Sequence, residues 1–220
     1  MSKLIDELKT NLKNKNIRGL ALDIDETLSL TIGYWVENLQ LKFGNPENLS
    51  VQELVFKYRF MQNVPFWQNE EALNWMEHAR KSNKVQEILP LIENANVIVG
   101  QINKIVPICA YITIRSQSVI PGTKKWLKKH GFPDAPVIAK PNDLPYENGS
   151  RWKAHMLTKL YPQAIGIIDD NSSLIDFLPK DYKGYVFLYN NSEIYGKNKK
   201  VIPCKNWNDV LLKVKECKMI

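Results

Sequence analysis

Two acids stand two residues apart in Leu22-Asp23-Ile24-Asp25-Glu26-Thr27, where an apolar run ends. Residues i and i+2 of an extended chain point the same way, so Asp23 and Asp25 can share one site. Close carboxylates raise each other's pKa unless a cation or a division of roles separates them. That physics suits a nucleophile beside a general acid. The same residues also suit a solvated turn, or a helix cap by Asp25 or Thr27.

A second pair, Asp169-Asp170, closes the apolar run Gly166-Ile167-Ile168. Here too a local alternative exists, since Asp170, Asn171 or Ser172 could cap a helix starting near Leu174. In an open parallel sheet, ligands bind outside the carboxyl ends of the strands. Four acids gathered there from two strand ends are costly without a hard divalent cation. An oxygen-only set with no His or Cys nearby favours magnesium over zinc. Thr113 ends a further apolar run, and its hydroxyl, with the backbone N–H groups that follow, could bind an anionic oxygen. Lys153 lies on a helical stretch before Asp169 and could bring a positive charge to the same crevice, although most lysines are solvated surface residues.

The elements that must position these groups are legible as apolar runs followed by turns and helical patterns. The runs are Arg18 to Leu22, Pro107 to Thr113, Pro136 to Ala139, Ala164 to Ile168 and Gly184 to Leu188. Near-continuous apolar runs suit strands covered on both faces. Helices are expected over Gly122 to Lys129, ending at His130-Gly131, over Trp152 to Tyr161 before Pro162, and over Asn206 to Cys217. This alternation argues an α/β fold with a mainly parallel sheet. From about Ser29 to Ala95 only helix signals occur. Trp35, Leu39 and Phe43 share a face until Gly44-Asn45-Pro46, Ser50 to Glu53 form a capping box, and Asn69 precedes another helix. This stretch reads as a helical insertion between the first and second strands.

The whole chain has 220 residues, enough for one large domain or a core with a modest insertion. Its hydrophobic share of 44% and charged share of 24% exclude a disordered chain. No run reaches the roughly 20 apolar residues of a membrane span, and the amino terminus resembles neither a signal nor a transit peptide. Three scattered cysteines (109, 204, 217) argue against a disulfide framework or a zinc site, so the chain reads as cytoplasmic. The net charge of +7 concentrates partly in Lys13 to Arg18 and Lys197 to Lys200. Such charge can attract nucleic acid or a small phosphorylated ligand, or simply solvate a basic surface. The oligomeric state leaves no signature.

Taken together, Asp23-Ile24-Asp25-Glu26-Thr27, Thr113, Lys153 and Asp169-Asp170 resemble, in order and strand-end context, the four motifs of the haloacid dehalogenase-like superfamily. The stretch Tyr111 to Ser116, followed by Thr123 to Pro133, resembles the second-motif region of its phosphatase branches. The likeness spans about residues 17 to 190. Lys159, or Lys140 beside Pro141, could replace Lys153 in the third motif, and Glu26 stands where many relatives carry Gly.

The resemblance implies a Rossmann-like three-layer α/β core (1–28 and 96–220) with a small all-helical cap (29–95). It implies a phosphatase that forms an aspartyl-phosphate on Asp23, with Asp25 as acid and then base; dehalogenases of the superfamily lack that second acid. Thr113, Ile114, Arg115 and Lys153 would bind the phosphoryl group. Asp23, the Asp25 carbonyl, Asp169 and Asp170 would hold Mg2+. The cap, with its many aromatic residues and its Val64-Pro65-Phe66-Trp67 loop, loosely resembles that of the 5'-deoxyribonucleotidase branch, so a nucleoside 5'-monophosphate is the expected substrate. Sugar phosphates, phosphorylated nucleic-acid ends, phosphotransfer and a non-catalytic nucleotide-binding module are the alternatives.

Overall fold

The computed structural model describes residues 2–58, 61–193, 195 and 200–217, with the side chains of residues 2–4 and 62 excepted. Phe60, one of the aromatic residues of the 29–95 stretch, and residues 197–199 of the second basic run lie outside the described residues. The chain opens with α1 (Ser2–Asn14), runs into β1 (Gly19–Leu22), and then forms the helices α2 (Thr31–Phe43), α3 (Val51–Tyr58), α4 (Glu70–Lys81), α5 (Asn83–Ile88) and α6 (Ala95–Ile105). The remainder alternates: β2 (Ile108–Ser116), α7 (Ile120–Lys129), β3 (Val137–Lys140), α8 (Gly149–Leu160), β4 (Ala164–Asp169), α9 (Leu174–Phe177), β5 (Tyr185–Tyr189), β6 (Lys200–Cys204) and α10 (Trp207–Glu216).

The six strands form one sheet in the order β3-β2-β1-β4-β5-β6, and every pairing is parallel. The central strands are buried on both faces, which is why their sequences read as unbroken apolar runs. Successive residues of β1 feed opposite layers: Leu20 and Leu22 join α6, α7 and α10 on one face, while Ala21 joins α1 and α8 on the other. The result is a three-layer α/β sandwich. None of the described helices is long and apolar enough to cross a membrane.

Between β1 and β2, a separate apolar cluster gathers Trp35, Val36, Leu39, Leu54, Val64, Trp67 and Met76 from α2 to α4 and their connections. Its local signals behave as the chain suggests. Gly44 ends α2 with φ 81°. Ser50 and Glu53 form the reciprocal capping box, and Asn69 Oδ1 accepts from the N–H of Ala72. Trp67 is fully buried and donates its indole N–H to the Gly44 carbonyl at 3.0 Å. Further on, Leu89, Ile92 and Ala95 pack into the cluster beneath the sheet. At the start of α5, Asn83 clamps this limb to α7, accepting from Gly122 N–H at 2.7 Å and donating to the Ser118 carbonyl at 3.1 Å.

Candidate active site

The strand order brings the carboxyl ends of β1, β2 and β4 side by side, because β1 pairs with both of the others. Asp23 follows β1 directly, its N–H donating to the Ile168 carbonyl at 2.9 Å. Asp169 is the last residue of β4. The two acids, 146 positions apart in number, therefore face one crevice. Carboxylate oxygens of Asp23, Asp169 and Asp170 lie within 4.8 Å of one another. Asp23 and Asp169 are buried.

Of the three candidate lysines, Lys153 is the one brought to the acids. It projects from the first half of α8, is 3% exposed, and places Nζ 2.9 Å from Asp23 Oδ1 and 2.8 Å from Asp169 Oδ2. Burial alone would lower its pKa, but the two carboxylates outweigh burial and raise it, so the side chain stays charged. Lys140 instead turns onto the loop carbonyls of Pro141 and Leu144. Lys159 lies six positions past Lys153 on the same helix, about a third of a turn around the axis from it. Ile114 sets the approach of α8: a Cβ at Gly149 would come within 2.9 Å of its side chain, so only glycine lets the helix sit this close.

One lysine does not balance the acids. Burial first, then Asp169 and Asp25, push the Asp23 carboxyl up to about 7 despite Lys153. Burial first, then Asp169 and Asp23, raise the Asp170 carboxyl well above its ordinary value. Asp23 Oδ1, close as it is to the lysine, has no hydrogen-bond partner. Three carboxylates whose oxygens gather within 4.8 Å, with one lysine between two of them, form an oxygen-only cluster short of positive charge that fits a hard divalent cation. Thr27 steadies this cluster, its hydroxyl donating to Asp170 Oδ1 at 3.0 Å and accepting from the Asp170 N–H at 3.1 Å.

Asp25 is held by a different cation. Arg115 Nε donates to both of its oxygens at 3.0 and 3.1 Å, and Nη2 donates to Oδ1 at 2.7 Å. Thr31 Oγ1 adds a fourth bond at 2.5 Å. Burial would raise the Asp25 carboxyl, but the charge and hydrogen bonds of Arg115 outweigh it and hold the group below its ordinary range. The rest of the guanidinium reaches Ser29 Oγ at 3.0 Å and Thr123 Oγ1 at 3.3 Å. The Arg115 guanidinium is thus engaged in a buried fork that positions Asp25. Thr113 remains at the end of β2, fully buried, its Oγ1 accepting from the Arg115 N–H at 3.2 Å and its own proton left to donate.

Glu26 has φ 56°, a left-handed conformation that costs a non-glycine residue about 1 kcal/mol or more. The position therefore suits the glycine that many superfamily members carry. Here the side chain compensates, because Oε1 accepts from the Ile32 N–H at 2.6 Å at the start of α2. Thr27, Ser29 and Thr123 were not marked by their spacing as parts of the site. Thr27 lies next to the first acid pair, whereas Thr123 is tied to the centre only through Arg115, which no local pattern encodes.

No family model matches the sequence, and no curated protein matches it. Three solved structures resemble it across nearly their whole length. A protein from Thermotoga maritima assigned as a β-phosphoglucomutase has a TM-score of 0.54 at 15% identity over 91% of this chain and 99% of that one. A dehalogenase has a TM-score of 0.55 at 13% identity, with coverage of 90% and 96%. A family IA, variant 3 hydrolase from Entamoeba histolytica has a TM-score of 0.55 at 14% identity, with coverage of 92% and 99%. These names span different chemistries, so the shared architecture does not choose a reaction. The fold of this chain is that of the haloacid dehalogenase-like superfamily.

Proposed function

We propose that this protein is a magnesium-dependent phosphomonoesterase acting on a small phosphorylated metabolite, with a nucleoside 5'-monophosphate as substrate. The observation that carries the reading is the meeting of Asp23, Asp169 and Asp170 around one buried point, with Lys153 bridging two of them. In this reading residues 29–95 serve as the cap, and Phe66, Trp67, Trp35 and Trp75 supply its aromatic content.

Asp23 attacks phosphorus in line, forming a carboxyl–phosphate bond as the bond to the leaving oxygen breaks. Asp25, once protonated, gives its proton to that oxygen. Water then attacks the aspartyl-phosphate, Asp25 takes the water's proton, and Asp23 is released with inorganic phosphate. Lys153 and the Thr113 hydroxyl orient the phosphoryl oxygens and offset their charge. Magnesium, held by Asp23, Asp169 and Asp170 and the carbonyl of Asp25, would neutralise the acids and the phosphoryl charge together. A second acid at position 25 is what separates this site from the dehalogenation chemistry of the superfamily. Because Arg115 favours the ionised form of Asp25, the resting enzyme is prepared for the base half of the cycle.

Phosphate release from a panel of nucleoside monophosphates, sugar phosphates and 5'-phosphorylated oligonucleotides, with and without magnesium, tests the reading. Magnesium-dependent turnover that Asp23→Asn abolishes is expected. Absence of turnover across the panel, or turnover that Asp23→Asn leaves intact, overturns it.

A further inference from the structure

Arg80 plays no part in the acid centre, yet it reaches toward it from the inserted helices. It lies in the last turn of α4. Its guanidinium carbon stands 5.4 Å from the ring centroid of Trp35, on α2, and 5.3 Å from that of Tyr146. Tyr146 belongs to the short turn that leads directly into α8, the helix carrying Lys153. The segment that holds Tyr146 leaves the sheet at the carboxyl end of β3, the same edge at which Asp23 and Asp169 follow and close their strands. The arginine thus links the helical insertion to the core on the carboxyl-edge side of the sheet, the edge that carries the acids.

Its faces are engaged and its edge is available. The guanidinium lies over two aromatic rings, its side chain is 47% exposed, and its ion pair with Glu77 is long at 3.6 Å. Beside it, the Trp35 indole N–H is buried with no acceptor among the described residues. Tyr146 is half exposed and offers an open aromatic surface. In-plane donors next to an open ring suit a flat group with in-plane acceptors, as guanidinium edges suit base edges and aromatic faces suit base stacking. The open carbon ring or chain of a sugar phosphate has no such face. A second phosphate would meet the Glu77 carboxylate beside Arg80.

We propose that Arg80 and Tyr146 form the specificity-determining pair, reading the planar, acceptor-bearing part of the leaving nucleoside, its nucleobase, while the acid centre holds the phosphate. The proposal rests on the phosphomonoesterase reading, and binding separates the two. Asp23→Asn protein with magnesium is titrated calorimetrically with a nucleoside 5'-monophosphate and with ribose 5-phosphate. Arg80→Met in that background is expected to weaken the nucleotide about tenfold or more and to leave ribose 5-phosphate within about twofold. Tyr146→Leu should shift the same ratio in the same direction, and Arg80→Lys, which keeps charge but not the planar fork, should not restore it. Equal losses on both ligands, no loss on either, or no nucleotide binding before the Arg80 change each overturn the proposal. Thermal melting confirms that the half-exposed position tolerates the change. Loss of selectivity with no phosphate release by protein retaining Asp23 removes the enzymatic reading and keeps the pair; phosphate release indifferent to Arg80→Met does the reverse.

Discussion

Arg115→Met tests how Asp25 is held. The change keeps an unbranched apolar stem and removes a guanidinium with three bonds of 2.7–3.1 Å to the Asp25 carboxylate, together with its bonds to Ser29 and Thr123. The arginine side chain is 5% exposed and that of Asp25 24%, so the carboxylate is stranded with little water. Breaking a buried pair costs about 3–5 kcal/mol, and the partial access of water to Asp25 sets the expectation near 3 kcal/mol. At this chain length the melting temperature should fall by about 6–12 °C. In an Asp25→Asn background, with no charge to strand, the same substitution should cost about 1 kcal/mol, a coupling of about 2 kcal/mol. Urea unfolding followed by circular dichroism, in chelator and without phosphate, measures all four corners of the cycle free of ligand effects. The sign with pH is also set. The folded-state pKa of Asp25 lies below the ordinary 3.8, so its contribution is complete above that value and lost as pH falls through the lowered one. The gap between wild type and Arg115→Met should therefore close in acid. Equal costs of Arg115→Met in both backgrounds would refute the account and make the arginine mere filling.

Thr27→Val keeps shape but removes both bonds to Asp170. Half-maximal magnesium for phosphate release should rise about 10- to 100-fold, the usual cost of losing a group that orients a metal ligand. Gly122→Ala would place a Cβ 2.3 Å from the Asn83 carbonyl oxygen and 2.8 Å from its Cα, so the limb below the insertion must shift; a loss of about 1–3 kcal/mol in urea unfolding is expected. Burial pushes the Cys109 and Cys204 thiols up to about 12, so a disulfide reagent should modify Cys217 alone in the native protein and the other two only after unfolding.

The central strands and the acids at their ends were legible because burial on both faces leaves an unbroken apolar signature, and an acid closing such a run stands out. The stops and caps at Gly44, Ser50 and Asn69 were legible because they are local chemistry. The edge strand β6 was not: Lys200–Cys204 is half exposed, contains Pro203, and pairs with β5 alone, a setting that tolerates such a sequence. In α6 the β-branched residues Val97, Ile98, Val99, Ile102 and Ile105 obscure a helix whose buried face is Ala95, Ile98, Val99 and Ile102, the i, i+3, i+4, i+7 series. At the site, Lys153 was nameable only as one of three, since periodicity does not say which lysine faces a crevice. The role of Arg115 could not be read at all, because its partner lies 90 positions away.

The chain leaves β1, wanders through residues 23 to 107, and then lays β2 against the strand it just left. Its α2–α4 part gathers an apolar cluster of its own, while α6 returns to cover the sheet. Lengthening, trimming or exchanging the α2–α4 segment would leave all five strand pairings unaltered, along with the aspartates fixed at the ends of β1 and β4. A lineage built on this frame is thus free to change what it admits without rebuilding the hardware beneath, and a chimera carrying a foreign excursion should still fold around the same acids.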